Sequence, residues 1–355
     1  MSVSRWTLTV VAWFLAASPT LALEVDLPDP LFQSNEILRV KIVAPMSTLI
    51  SERPFEEELP ATFEYQDSAG ETVVVDLQIR TRGRFRRDEN ICPFPPLRLN
   101  FKTSQTANTL LHKQDKVKLV THCKDSGRYN LALQREYMTY RILNELSDVS
   151  FAVRLLNITY VDSEGHREPE EQLGFIIEHR DRLAKRMGTK VVETTRTPLS
   201  TLNPNYTNLV SVFHYMIGNT DFSPIAGIKE DYCCHNHILI GSEGEPYWSV
   251  PYDFDQSGIV DAPHASPNPR FRLRNVRERL YRGRCVNNAL LAETLEFYRA
   301  KRGAITTLFE QEPDISESAR SRMLNYLKDF YRTLDSDSRI NREFVRQCIG
   351  SAGKD

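Results

Sequence analysis

The chain has 355 residues, of which 41% are hydrophobic and 26% charged, and its formal net charge is −2 at pH 7. This composition is typical of a globular protein and excludes a disordered or low-complexity chain. A nearly neutral charge also gives no indication of a nucleic-acid partner, because such partners require a basic surface.

The N-terminal segment differs in character from the rest of the chain. Arg5 precedes an apolar run at 6–17, and small residues follow up to Ala22. This pattern predicts a secretory signal peptide over residues 1–22, too interrupted for a transmembrane anchor, which needs about 20 apolar residues. We therefore expect an exported protein, located in the periplasm, in the cell envelope or outside the cell, with no transmembrane anchor after cleavage.

Export also accounts for the cysteines, which all follow the predicted signal peptide and are even in number. Cys92 and Cys123 flank neighbouring predicted strands, so a disulfide between them is favoured. The other bridges are expected to join the two adjacent cysteines to the two C-terminal ones, that is, Cys233 and Cys234 to Cys285 and Cys348.

The first half of the mature chain, residues 23–178, is predicted to be rich in β-strands. Short alternating or β-branched runs are separated there by glycine and proline clusters. The predicted strands are 38–43, 62–65, 72–80, 97–102, 116–120, 155–161 and 173–178. One helix is predicted among them, at 131–146, from apolar residues at helical spacing.

The second half, residues 179–355, is predicted to be mostly helical. The predicted helices are 209–217, 289–309, 316–334 and 341–349, and the polar stretch 181–204 is predicted to be a loop. This order indicates an α+β protein of two lobes with a protein-kinase-like fold, in which the N-lobe is strand-rich and the C-lobe helical.

Three short motifs in the second half carry the strongest functional signal: 217–221 (Ile-Gly-Asn-Thr-Asp), 235–239 (His-Asn-His-Ile-Leu) and 251–255 (Pro-Tyr-Asp-Phe-Asp). Their order places a carboxylate on a loop, and an amide and a second carboxylate at the two ends of a hairpin. Kinases use such groups to orient an acceptor hydroxyl and to hold Mg²⁺ against ATP phosphates. Taken singly, each motif is also compatible with a turn or a helix cap.

The first half offers candidate cations for the phosphates. Lys118 lies on an apolar strand and Glu136 inside the strong helix, a spacing that suits an ion pair, although Lys116 is an alternative. The run 80–87 contains five arginines around one glycine, so Arg82 and Gly83 are candidate phosphate contacts. A solvated hairpin turn is the alternative for that run.

A second basic cluster follows the last motif. If this stretch were a helix, several of its arginines would lie on one face. Such a face could bind an acidic or phosphorylated acceptor, or it could simply be a solvated basic surface. The seven arginines are Arg270, Arg272, Arg274, Arg277, Arg279, Arg282 and Arg284.

On the basis of these motifs, the chain resembles the CotH-type atypical kinases, a family named for a spore-coat protein. The resemblance covers roughly residues 75–260 and includes Arg-x-Arg-Gly (80–83), Lys118-Leu-Val, and Leu-Gly-Phe-Ile-Ile-Glu (173–178). The motif Gly-Asn-Thr-Asp is also similar to that of HipA-like kinases. The glycine-rich loop of ordinary protein kinases does not occur in the sequence.

The resemblance implies ATP-dependent transfer of a phosphoryl group to Ser or Thr of a protein, with Mg²⁺ or Mn²⁺. By motif, Asp221 matches the catalytic aspartate, Asn236 a metal-binding asparagine and Asp253 the metal-binding aspartate, with Asp255 as the alternative ligand. This sequence departs from ordinary protein kinases in having 14 residues between Asp221 and Asn236 instead of four.

Two other functions remain open at the level of sequence. The first is a non-catalytic envelope or surface protein, with a binding or structural role on the same fold. The second is a zinc protein, because the stretch 233–237 offers cysteine and histidine ligands, although it has none of the usual zinc-site spacings.

Overall fold

A computed structural model describes residues 26–228 and 232–350, and the predicted signal peptide lies outside the described residues. Its first half forms a closed barrel of seven strands, in the order β1-β2-β3-β4-β5-β7-β6. The strands are β1 (Leu38–Ala44), β2 (Leu59–Gln66), β3 (Thr72–Thr81), β4 (Leu97–Phe101), β5 (Lys116–Val120), β6 (Val153–Asp162) and β7 (Glu170–Ile177). All seven predicted strands are therefore confirmed.

The barrel closes because β1 pairs with a strand on each side. It is antiparallel to β2, and it is parallel to β6, with Leu38 opposite Leu156 and Ala44 opposite Asp162. Every second residue of β1 is buried, as expected for a strand with one face toward the barrel interior. The interior is filled by apolar side chains such as Ile42.

The helices are distributed along the whole described chain. They are α1 (Met46–Ser51), α2 (Thr103–Thr106), α3 (Gly127–Leu146), α4 (Arg180–Arg186), α5 (Pro204–Ile217), α6 (Leu291–Ala300), α7 (Arg302–Glu310), α8 (Glu317–Leu334) and α9 (Asp337–Ile340). A second sheet, in the order β10-β9-β8, lies in the second half and consists of β8 (Lys190–Val191), β9 (His237–Gly241) and β10 (Trp248–Pro251).

The predicted two-lobed kinase-like fold, with a strand-rich N-lobe and a helical C-lobe, is wrong. The strand-rich half is a closed barrel rather than an open sheet, since the parallel β1–β6 pairing leaves neither of those strands as a free edge. The second half contains a three-stranded sheet and is therefore not only helical. Parallel pairing of distant strands depends on the whole fold, and local hydrophobic patterns do not encode it.

Several local predictions also need correction. The stretch 181–204 contains most of α4, all of β8 and a short 3-10 helix, and is not a simple loop. The predicted helix at 289–309 is two helices, α6 and α7, which meet at Lys301. Among the described residues, the stretch that carries the seven arginines has no α-helix, so the proposed helical faces do not exist.

Helix α3 links the barrel to the C-terminal helices. It contacts β6 and β7 on one side and α7 and α8 on the other. Most of its residues are buried from Ala132 onward, and they include the polar residues Arg135, Glu136 and Arg141. A helix buried on nearly all sides needs partners for its polar groups, and the partners of Glu136 lie at the site described below.

Three disulfides are present. The predicted bridge Cys92–Cys123 is confirmed. The expected links from Cys233 and Cys234 to the C-terminal cysteines are wrong, because these two adjacent residues are bonded to each other. The third bridge joins Cys285 to Cys348, whose neighbours Arg284 and Ile349 form a short parallel β-bridge. The sulfurs of Cys233 and Cys234 are thus not available as zinc-binding thiolates.

Within residues 26–228 and 232–350, no helix combines the length and the apolar character needed to cross a membrane.

Candidate functional site

The hairpin of β9 and β10 brings two of the predicted site residues together. His237 pairs with Pro251, and the next residues outward also meet, since the backbone N–H of Tyr252 donates to the carbonyl of Asn236 at 2.9 Å. Asn236 and Asp253 both adopt a positive φ, 54° and 63° respectively. Such backbone conformations are uncommon outside glycine and often occur at functional sites.

Asp221 reaches the same place from the end of α5. This helix ends at Gly218, which has the left-handed conformation typical of a C-terminal cap, and the chain then turns toward the hairpin. The side-chain amide of Asn236 donates to the Asp221 carbonyl at 2.7 Å and to its Oδ2 at 3.1 Å. The Nε2 atom of His235 lies 2.8 Å from Asp221 Oδ1. Asp221 and Asn236 are therefore in direct contact despite the long insertion between them.

The insertion is closed by backbone pairing. Ser223 and His235 form an antiparallel bridge, in which the Ser223 N–H donates to the His235 carbonyl at 2.9 Å. This bridge returns the chain to a point one residue before Asn236. The distance along the sequence is thus no obstacle to the contact with Asp221.

Arg86 lies at the centre of the charged cluster, in contact with three carboxylates. Its guanidinium nitrogens are 3.7 Å from Glu136 Oε2, 3.7 Å from Asp253 Oδ1 and 3.4 Å from Asp255 Oδ2. The Arg86 side chain is only 11% exposed. Ion pairs in such a buried setting interact more strongly than exposed ones, but each charge also loses hydration.

The pKa of Glu136 lies far from the ordinary value for a glutamate. Burial raises its pKa to about 8, against the opposing effect of the Arg86 charge. One of its oxygens, Oε1, is buried and accepts no hydrogen bond from the described residues. An ion pair with Lys118 was predicted for this residue, but within the described residues its ion-pair partner is Arg86.

The two aspartates of the last motif differ in their accessibility. The Asp255 side chain is 9% exposed and lies 2.9 Å from His264 Nε2 as well as near Arg86. Burial alone would raise the Asp255 pKa, but Arg86 and the hydrogen bond from His264 together hold it below its usual value. The Asp253 side chain is 40% exposed. Asp253 is therefore the carboxylate that an incoming ligand can reach.

Lys118 lies above the ring of Tyr252, with Nζ 4.0 Å from the ring centroid. Burial and the neighbouring Arg82 charge lower its pKa to about 7, and the Asp253 charge opposes this effect. Tyr252 immediately precedes Asp253, so the cation lies beside the exposed carboxylate. Lys116 lies on the same strand face, two residues away, where it pairs with Asn100 of β4.

Arg82 and Gly83 lie where β3 leaves the barrel. Arg82 donates through Nε to the Leu97 carbonyl at 3.2 Å and through Nη2 to the Leu119 carbonyl at 3.4 Å. These bonds fix it beside Lys118. Gly83 has φ of 77°, and a Cβ atom there would meet no heavy atom within 4 Å. The backbone at Gly83 therefore faces open space, and the positive φ explains the choice of glycine.

Some residues of the cluster were not singled out from the sequence. The hydroxyl of Tyr140 accepts a hydrogen bond from the Asp253 N–H at 2.8 Å. Tyr140 follows Glu136 by one helical turn, so the shared face of α3 could have indicated it. Arg86 belonged to the arginine run, but nothing in that run distinguishes it from its neighbours. His235 and His264 gave no signal beyond their closeness to the motifs.

The chain matches no protein-family model, no curated protein and no solved structure.

Proposed function

We propose that this protein is a phosphotransferase that moves the γ-phosphoryl group of ATP to a Ser or Thr hydroxyl of a protein. The observation that carries the proposal is the grouping of Asp221, Asn236 and Asp253 opposite the cations Lys118 and Arg86. Phosphoryl transfer relies on positioning and on charge stabilisation rather than on covalent chemistry of the protein. The resemblance to CotH-type kinases supports the same reaction, although the fold is a different one.

The donor set suits a hard divalent cation. Asp253 offers an exposed carboxylate, and the Oδ1 atom of Asn236 is not used in the bonds to Asp221. Oxygen ligands of this type are those that Mg²⁺ prefers, and Mn²⁺ accepts them too. We assign the metal to Asp253 and Asn236. When bound, the ion would neutralise charge on the phosphate oxygens.

The cations suit the phosphates. Lys118 is adjacent to Asp253, and Arg82 is fixed next to it by two backbone carbonyls. Arg86 is within reach of the same carboxylate. Guanidinium groups bind phosphate oxygens through paired hydrogen bonds, whereas lysine acts as a point charge. The backbone at Gly83 can approach a phosphate closely because it carries no side chain.

Asp221 is assigned to the acceptor. Its carboxylate is held on one oxygen by His235 and on the other by Asn236, which fixes its direction. In the proposed step the acceptor oxygen bonds to the γ-phosphorus, the bond from that phosphorus to the bridging oxygen breaks, and ADP leaves. The hydroxyl proton passes to the Asp221 carboxylate and then to solvent.

The proposal places the reaction outside the cytoplasm. The predicted signal peptide and the three disulfides agree with an oxidising compartment. The acceptor would then be a protein of the envelope, the periplasm or the surroundings of the cell. Its donor would be the ATP available in that compartment.

The test is labelling of purified mature protein and candidate acceptors with γ-labelled ATP, in the presence of Mg²⁺ or Mn²⁺. Asp221→Ala should reduce transfer about a hundredfold or more while nucleotide binding persists. The matched control is Asp329→Ala, at an exposed carboxylate of α8 whose side chain is 56% exposed. Equal labelling by the Asp221 variant and the wild type would contradict the assignment.

A non-catalytic binding or structural role is the second candidate, and one observation favours it. Arg86 already has ion-pair partners inside the protein, since it contacts the carboxylates of Glu136, Asp253 and Asp255 without any ligand. Such a network of ion pairs can stabilise the folded protein without binding any ligand. A thermal shift with Mg²⁺-ATP separates the two functions, because a ligand at 100 times its Kd adds about 2.7 kcal/mol of stability. No shift and no labelling would favour the structural role.

A further inference from the structure

A long irregular segment begins within the candidate site and continues beyond it. From Tyr252 to Arg284 the chain contains no helix or strand, and its second part carries seven arginines against two acidic residues in 261–284. Ordered loops longer than about 12–15 residues are uncommon, and in compact domains they usually have a function. We call residues 268–284 the arginine segment.

Two of its arginines hold the segment in place. Arg279 donates to the carbonyls of Met216 and Tyr326, at 3.2 Å and 2.7 Å. Arg282 donates to the carbonyls of Thr220 and Phe222, at 2.9 Å and 2.7 Å. Their guanidinium groups are thus part of the internal packing of the protein. They are not available to a partner.

Other arginines of the segment point outward. Arg270 and Arg272 are exposed, and neither guanidinium forms an ion pair with any residue of the described part of the chain. The Arg274 side chain is 91% exposed and lies 3.1 Å from Glu278. An exposed pair of this kind contributes at most about 1 kcal/mol and exchanges readily with another anion. We call Arg270, Arg272 and Arg274 the arginine face.

The arginine segment is anchored on both sides of Asp221. The Arg282 bonds hold the residues immediately before and after Asp221. The side-chain amide of Asn268 also donates to the Thr220 carbonyl, at 3.2 Å. Arg270 follows Asn268 by two residues, which is at most about 7 Å of chain. A peptide with its hydroxyl at Asp221 would therefore pass the arginine face within about five residues.

We propose that the arginine face docks acidic residues that flank the Ser or Thr acceptor. The inference rests on the function proposed above and adds the substrate class, an acidic protein segment. Carboxylates of the acceptor would pair with Arg270 and Arg272 while its hydroxyl reaches Asp221. Such rim charges mainly select the partner and speed its association.

A short acidic segment fits the surface better than an extended polyanion or a membrane. The chain as a whole has a net charge of −2, so the positive potential is local. Membrane-surface binding usually adds inserted apolar side chains. In the described chain, none of the exposed large hydrophobic residues lies within the arginine segment.

The test uses fluorescent synthetic peptides and the mature protein without ATP. One peptide carries a serine between runs of glutamate, and the matched peptide carries glutamine instead. Anisotropy should show binding of the glutamate peptide only, and Arg270→Glu with Arg272→Glu should weaken it about tenfold or more. The charge-matched control is Arg332→Glu with Arg339→Glu, two exposed arginines in the helical tail. This control should retain binding.

The outcomes separate this inference from the proposed function. Equal binding of both peptides, or equal loss in the control variant, would overturn the docking surface even if labelling with ATP succeeds. Stronger competition by an oligonucleotide or by anionic phosphatidylserine vesicles than by the glutamate peptide would overturn it as well. Selective binding without any phosphoryl transfer would retain the surface and refute the transferase. When the docking surface and the phosphoryl transfer are both confirmed, the arginine-face variant should lower kcat/KM for the peptide and leave the KM for ATP unchanged.

Discussion

Asp253 and Asp255 are separated by one residue and face different environments. Asp253 is accessible and lies beside Lys118 and Tyr252, whereas Asp255 is enclosed by Arg86 and His264. We therefore expect separate roles for them, in which Asp253 would contact the ligand and Asp255 orients Arg86. Asp255 thus orients the Arg86 guanidinium and is not needed as a metal ligand.

We expect Asp253→Asn to weaken Mg²⁺-dependent ATP binding about tenfold or more, since an amide lacks the anionic oxygen that Mg²⁺ prefers. Asp255→Asn is the matched control. It should weaken binding less, only about severalfold through the loosened Arg86, and it should lower the free energy of unfolding by about 1–3 kcal/mol, because it weakens a buried ion pair. Calorimetry and chemical denaturation measure the two effects. The reverse pattern would give the metal to Asp255.

If the site binds nucleotide as proposed, we expect Lys118 to make this binding depend on pH. Its pKa of about 7 in the free protein lies well below the ordinary value of 10.5, so the protonated form is already being lost near neutrality. Phosphate favours the protonated form and raises the pKa on binding. Binding above pH 7 therefore takes up a proton, and the affinity should fall as the pH rises from about 7 to about 9.

Calorimetry in buffers of different ionisation enthalpy checks this prediction, because proton uptake adds a buffer-dependent heat. Lys118→Met should bind more weakly and show no proton uptake. Lys116→Met, on the same strand, is the matched control and should behave as the wild type. Uptake that persists in Lys118→Met would mean that another group, such as Glu136, carries the proton.

At the scale of elements, the loop that carries Arg86 depends on a covalent bridge. Cys92–Cys123 joins the end of this loop to the chain just after β5, and the Phe94 N–H donates to the Cys123 carbonyl at 3.0 Å. Arg53 binds the same loop through the carbonyls of Arg87 and Cys92, at 2.7 Å and 3.0 Å. The loop thus has a fixed position relative to the strand of Lys118.

Replacement of both Cys92 and Cys123 by serine should cost about 3–4 kcal/mol of stability by the loop-closure argument for their separation of 31 residues. It should also weaken nucleotide binding severalfold, since Arg86 loses its fixed position. The control is the pair Cys285→Ser and Cys348→Ser, whose separation is 63 residues and whose bridge lies elsewhere. That variant should lose comparable stability and keep its nucleotide affinity while folded. Equal loss of affinity in both variants would mean that general loosening is responsible.

At the scale of the whole molecule, α3 connects the site to the C-terminal helices. Glu136 and Tyr140 face the charged cluster, and Arg141 forms a buried ion pair with Glu312 in the loop between α7 and α8. Tyr137 lies in the same network, with its hydroxyl accepting from Arg141 at 3.0 Å. One helix thus carries one set of polar residues at the candidate site and another in the buried ion pair with Glu312.

Arg141→Met should lower the free energy of unfolding by about 3–5 kcal/mol, because Glu312, only 1% exposed, would lose its buried partner. Glu312→Leu in the same background should recover part of the loss, since an apolar pair can replace a buried ion pair at little cost. Urea denaturation of the single and double variants measures the effect. ATP affinity of the folded protein should be unchanged in both. Additive losses in the double variant would contradict the pairing.

The sequence predicted the strands and the site motifs well, but it predicted the pairing of distant chain segments poorly. The strands could be predicted because their alternation is local, and the grouping of Asp221, Asn236 and Asp253 because the motifs lie at the ends of recognisable elements. The parallel β1–β6 pairing and the Cys285–Cys348 bridge join distant segments, which no local pattern records. Arg86 could not be chosen among neighbouring arginines, since its partners come from α3 and from the segment after β10.

The contact of Arg86 with Asp253 has a thermodynamic consequence for the order of ligand binding. A divalent cation alone must compete with the guanidinium for the Asp253 oxygen, whereas phosphate gives that guanidinium a new anionic partner. Metal and nucleotide should therefore bind with positive cooperativity, and by linkage each must raise the affinity of the other by the same factor. In Arg86→Met the competition is removed, so the free metal should bind more tightly while its coupling to the nucleotide declines.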